Sequence, residues 1–175
     1  MMRVHGNERL EEAVGKMSFG RLVLAVLALA LLAAPPAQAE EVTRESYKEV
    51  VEPVCKSNAK ANERILKGVR GKFRSGKLKA ASRQFFRAAA ALRRTLRQLR
   101  AVSQPPADKA KLAKWLKYIG IEANLFQKTG KKLKAGNRNA ATAMVIRLER
   151  NANLANNQVI GFEFRHCRFE PSKFT

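Results

Sequence analysis

Two cysteines, two histidines, one tryptophan and ten glycines among 175 residues leave little for thiol, imidazole, indole or tight-loop chemistry. With ten Gly, six Pro and few β-branched runs, a turn-rich β-sandwich or barrel is excluded. There is no G-x-S-x-G, no H-E-x-x-H and no Gly-rich phosphate loop, which removes the common hydrolase, zinc-protease and nucleotide-binding signatures. Acidic residues are scarce: 14 Asp and Glu stand against 35 Lys and Arg, for a formal net charge of +21. From Arg64 to Arg100 there are 13 Lys or Arg and no acid at all. A catalytic pair of carboxylates has little to draw on there, and the expectation is a protein without catalytic residues. Metal and cofactor sites are not expected either. A metal needs clustered ligands, and His166 beside Cys167 has no companions near Cys55. No helix-turn-helix, zinc finger or aromatic stacking sheet is recognisable, so sequence-specific nucleic-acid reading is not expected.

What is present begins with an address. Residues Leu22 to Ala34 form an uncharged apolar run of 13 residues, shorter than the roughly 20 a membrane-crossing helix needs. Pro35-Pro36 closes it, and Ala37-Gln38-Ala39 follows in the small-x-small pattern of signal-peptide cleavage, ahead of Glu40-Glu41. The expectation is a secretory leader over 1–39, cut after Ala39, and a secreted or extracytoplasmic product. Three glutamates before Met17 are out of character for an export signal, and Met17 with Arg21 makes a better start. The single domain expected over 40–175 then holds 31 Lys or Arg and 11 Asp or Glu, a net charge of +20.

Four stretches of that domain carry a helical period. The first runs from about Ser46 to Phe73, with Tyr47, Val50, Val51, Val54, Ala61, Ile65, Val69 and Phe73 spaced for one face. Ser46 and Glu49 make a capping box, and Pro53 either kinks the first turns or begins the regular helix. The second, Lys77 to Val102, is the clearest: Leu78, Ala81, Phe85, Ala89, Leu92, Leu96 and Leu99 share one direction, with arginines opposite. Gln104-Pro105-Pro106 interrupts. A third helix follows, with Asp108 favouring its positive end, Trp115 in its apolar stripe and Gly136 as its C-terminal cap. The fourth runs from about Asn139 to Ile160 on Ala141, Met144, Leu148, Ala155 and Val159. Short turns between amphipathic helices argue an all-α, antiparallel up-down-up-down four-helix bundle.

The two cysteines fit that topology. In an oxidising compartment an even pair forms a disulfide, and Cys55 and Cys167 lie where such a bundle brings its first and last helices to one end. The closed loop of 113 residues corresponds to about 4–5 kcal/mol in the loop-entropy description. Asn58 and Asn151 project near the centres of the first and fourth apolar stripes. They either form a polar layer, line a small cavity, or bond separately to local backbone or water, the last being the expected outcome. Trp115 is expected in the core.

The arrangement of A-x-A leader, Cys55 with Asn58 in the first helix, an all-helical middle and a late Gly161, Phe162 and Cys167 resembles small exported helical proteins of high-GC Gram-positive bacteria. The resemblance implies a disulfide-stapled helical domain outside the membrane; it carries no activity and no functional residues with it. Function therefore rests on charge. Dense Lys and Arg attract polyanions, and the candidate contacts are Arg83, Arg87, Arg94 and Arg97 with Lys114, Lys117, Lys128 and Lys131. The expected partners are anionic envelope polymers or lipid headgroups. The alternative is a bundle that takes a small or lipid-like ligand between its helices, near the asparagines.

Overall fold

Thr43 starts the first helix, because its hydroxyl accepts a hydrogen bond from the Ser46 amide (3.1 Å) while Ser46 Oγ accepts from the Thr43 amide (3.0 Å). This reciprocal pair is the capping box, three residues earlier than the Ser46–Glu49 box expected from sequence. The computed structural model describes residues 41–170; the leader read over 1–39 and the start at Met17 lie outside them. Helix α1 spans Arg44–Leu66 and runs through Pro53 rather than beginning at it. Gly68, at φ 72°, breaks the helix, and the short α2 (Val69–Arg74) follows. A backbone turned left-handed at that point favours a residue without Cβ. The break explains why one long first helix was expected: Val69 is buried and Phe73 half-buried after it, so the apolar period continues. Val50, by contrast, is 53% exposed and does not belong to the inward stripe.

Helix α3 spans Leu78–Arg100 and buries Ala81, Phe85, Ala89, Leu92, Leu96 and Leu99, as its periodicity predicts. After a 3₁₀ turn at Pro106–Asp108, α4 runs Lys109–Lys134 and stops at Gly136, φ 74°. The Asn137 side chain caps α5 (Arg138–Gln158) by accepting from the Ala140 amide at 2.9 Å. The chain among the described residues is all-helical: four long helices, one short one and no strand.

Packing follows chain order, with α1 on α3, α3 on α4 and α4 on α5. The α3–α4 crossing is close at Gly130, where an added Cβ would meet the Phe86 ring at 3.0 Å and where Ser82 Oγ donates to the Gly130 carbonyl at 2.7 Å. Gln84 of α3 donates to the carbonyls of Ile65 (2.7 Å) and Lys67 (3.0 Å), satisfying acceptors that the end of α1 leaves open.

Between α1 and α5 the connection is made by the segment after α5. Glu52 of α1 accepts from the amides of Arg165 (2.5 Å) and His166 (3.0 Å). Cys167 is bonded to Cys55 of α1. Asn156 of α5 bonds Phe169 twice, through its amide at 2.8 Å and its carbonyl at 2.9 Å. Residues 163–170 thus form a strap from α5 to α1. Under its beginning lies an aromatic series: Tyr47 meets Phe162 edge-on at 6.2 Å, Phe162 stacks on Phe164 at 5.2 Å, and Phe164 lies 5.6 Å from Trp115. Arg44 covers the Phe162 ring at 5.4 Å and pairs with buried Asp108, Nη2 to Oδ1 2.7 Å. Asp108 therefore serves an ion pair across 64 residues rather than the cap of α4, where it makes no side-chain hydrogen bond. Paired charge in a buried setting is costly to break from one side.

Replacing Cys55 and Cys167 together by alanine should lower the unfolding free energy by about 4 kcal/mol. The check is the urea midpoint, with far-UV circular dichroism at low denaturant showing that helix content is kept.

Candidate basic face and a cavity beneath the strap

Arg83, Arg87, Arg94 and Arg97 are all exposed, and at 100° per residue they fall on one stripe of α3 opposite its buried face. Lys114, Lys117, Lys128 and Lys131 are exposed too and form a second stripe on α4. The two are joined by Arg93, whose guanidinium donates to Asn124 Oδ1 at 3.1 Å and to Gln127 Oε1 across the α3–α4 seam. Asn124 sits within the lysine stripe, so the two cationic rows flank this crossing. Further along the seam, Arg100, Gln104, Lys117 and Asn124 line an open groove of about 440 Å³. Across α3 and α4 the sequence holds one carboxylate, Glu122, and it is buried. The cations on both helices thus have no exposed carboxylate on their own helix to neutralise them.

The second feature is a cavity of about 100 Å³ bounded by α1, α3, α4 and the strap. At roughly 30 Å³ per water in the liquid, it holds on the order of three waters. Its wall is mixed. Leu92, Leu99 and Phe126 contribute apolar surface, and Glu122, Thr95, Asn58, Asn62 and Trp115 contribute polar atoms beside the Cys55–Cys167 bond. Asn58 Oδ1, Asn62 Oδ1 and Trp115 Nε1 are buried without a hydrogen-bond partner. Unpaired buried polar atoms are rare and costly, of order 1–3 kcal/mol each.

Glu122 is 1% exposed. Asn151 of α5 donates to its Oε2 at 2.6 Å and to the Tyr118 carbonyl at 3.0 Å. Burial pushes the Glu122 carboxyl up to about 8, against the lowering effect of the Asn151 hydrogen bond. Asn151 is therefore bonded across to α4, not to local backbone as expected from sequence. Asn58 is half-buried and lines the cavity, its side-chain oxygen is buried without a partner, and Asn151 bonds elsewhere. Trp115 is fully buried, as expected of a core residue; it is also among the residues around the cavity, and its indole N–H has no hydrogen-bond partner.

Glu122 and Asn62 escaped the sequence reading, although a signal existed for both. Glu122 falls on the stripe of Trp115, Ile119 and Phe126, an acid where the pattern asks for an apolar residue. Asn62 lies one turn after Asn58 and shares its face. Among the described residues no group of three His, Cys, Asp or Glu is placed to hold a metal ion. A separate pocket of about 170 Å³, lined mainly by Val69, Phe73, Phe85, Leu133, Ala141 and Val145, lies toward the other end of α4. No protein-family model, curated protein or solved structure matches this chain.

The Glu122 carboxyl, at about 8 when folded against an ordinary 4.5, resists ionisation only in the folded state. Its contribution to stability is complete below 4.5 and is lost as pH rises from there to about 8. Asp108 has the opposite sign: the hydrogen-bonded Arg44 guanidinium holds its carboxyl below the usual range, so that stability is lost as pH falls. Glu122→Gln should flatten the decline toward pH 8 and raise the urea midpoint there by the equivalent of at least about 1 kcal/mol, leaving the acid limb unchanged. A decline that persists in the variant would assign the effect to another group.

Proposed function

We propose that this chain is an exported, non-enzymatic helical-bundle protein whose basic face adheres to anionic envelope polymers or lipid headgroups. The observation that carries the reading is the pair of exposed cationic stripes on α3 and α4, two helices joined by the Arg93 crossing and without an exposed carboxylate on either. Such a surface concentrates polyanions by its field and by release of their counterions. The contacts are diffuse: Arg83, Arg87, Arg94 and Arg97 from α3, with Lys114, Lys117, Lys128 and Lys131 from α4. An extracytoplasmic site of action is supported by the leader pattern in the sequence and by the disulfide, which persists in oxidising compartments. No helix among the described residues is long and apolar enough to cross a membrane. We take the four long helices to run up, down, up and down, which the short connections and neighbour-to-neighbour packing support.

The second reading, a bundle that takes a ligand between its helices, is favoured by the cavity beneath the strap. Its volume of about 100 Å³ is below the 150 Å³ of a cavity that holds benzene, so it suits a small polar molecule and not a lipid chain.

Binding to anionic vesicles, a phosphate-rich wall polymer and duplex DNA across a salt series tests the adhesion reading. Affinity should fall steeply with salt on all three. On DNA the quadruple reversal R83E/R87E/R94E/R97E should reduce the log–log slope by about 3–4. Failure to bind any of them near 150 mM salt would leave the charge as a solubility feature.

A further inference from the structure

Three of the protein's 14 acids share one place. Glu63, Glu122 and Glu170 all line the cavity beneath the strap, whereas the chain as a whole has 14 acidic residues against 35 cationic ones. Arg168 is the one Lys or Arg among its described lining residues. The local balance of charge is therefore opposite in sign to that of the molecule.

The hydrogen-bonding inventory has the same sense. Asn58 Oδ1 and Asn62 Oδ1, one turn apart on α1, are buried acceptors without partners, and both residues line the cavity together with Glu122 of α4. Trp115 and Phe126 add aromatic wall, a surface that attracts cations. The Trp115 indole N–H is fully buried and unpartnered, and it awaits an acceptor. Three acceptors, an aromatic wall and one donor are complementary to a particular kind of molecule. An ammonium group has three donors and no acceptor. Scaling from benzene in 150 Å³, the room available corresponds to about four non-hydrogen atoms.

We propose that the cavity binds a small free primary amine that also carries a hydroxyl or similar acceptor. Its ammonium group is held by Glu122, Asn58 and Asn62, and its acceptor by the Trp115 N–H. Binding the ammonium ionises the Glu122 carboxyl, whose proton leaves to solvent. The titratable and charged groups facing Glu122 around the cavity are Glu63 from α1 and His166, Arg168 and Glu170 from the strap. Helix α3 presents Thr95 and leucines there, and α5 presents Asn151. Because burial places Glu122 at about 8, affinity for the ammonium form should weaken about tenfold for each pH unit below that value. A lysine-like amine stays protonated up to about 10.

The chain contains one tryptophan, and it forms part of this wall, so its fluorescence reports on the cavity directly. The disulfide-bonded protein is titrated at pH 8 with 2-aminoethanol, with neutral 1,2-ethanediol and with anionic glycolate. A saturable fluorescence change with 2-aminoethanol, at least tenfold tighter than with either isostere, is the expected result. Glu122→Gln should weaken it at least tenfold and Asn62→Leu severalfold, both with unchanged helix content and unchanged binding to anionic vesicles. If Glu122→Gln fails to fold, the isostere ranking and pH profile of the wild-type protein decide alone. Equal binding of the neutral or anionic isostere, no saturable change at all (a cavity holding water only), or an unaffected Glu122→Gln would each overturn the proposal. Competition by phosphatidylethanolamine vesicles, absent with phosphatidylcholine, would overturn the free-amine assignment in favour of a lipid headgroup.

Discussion

The structure depends on the closure of α1 to α5 by the strap. Helices α1, α3, α4 and α5 pack in series, and a series of helices has two unpaired ends. Here the ends are tied by one covalent bond, Cys55–Cys167, and by two polar clamps. Glu52 holds the strap from α1 and Asn156 holds it from α5. The covalent bond removes freedom from the unfolded chain, while the clamps orient the folded one. Remove the closure and the aromatic series from Tyr47 through Phe162 and Phe164 to Trp115 loses its outer cover. The cavity is a product of the same arrangement. The strap forms one of its walls, opposite residues of α1, α3 and α4.

Charge is sorted with equal consistency. Cations occupy the outward stripes of α3 and α4, where long side chains keep their heads in water. The acids of the structural interior are each answered by a neighbour: Asp108 by Arg44, Glu122 by Asn151. These two carboxyls respond in opposite directions because their surroundings differ. A guanidinium favours the ionised form of Asp108, and apolar enclosure disfavours that of Glu122. The protein is consequently squeezed from both sides of the pH scale by two single residues.

Local features of this fold were legible in the sequence, and beyond the disulfide the long-range ones were not. The period of Leu78, Ala81, Phe85 and Leu92 located α3 because burial on one face is written at every third or fourth residue. The cysteines were legible as a pair because each has one possible partner in the chain. The cap of α1 was misplaced because Thr43, Ser46 and Glu49 form two overlapping patterns of the same kind, and only the backbone decides between them. The break at Gly68 was hidden by an apolar period that survives it. Asp108 was read through the nearest helix end, although its partner lies 64 residues away. The roles of Glu122, Asn62 and Asn151 likewise depend on which helices become neighbours. An acid on an apolar stripe was the one clue available from sequence alone.

The position of the strap also sets an order of events. A chain made and delivered from its amino end presents α1 first and Cys167 more than a hundred residues later. Until that residue emerges, Cys55 has no mate and the space between α1, α3 and α4 stands open on the strap side. A product that ends before Cys167 keeps Cys55 without its disulfide partner and lacks the strap's covalent tie.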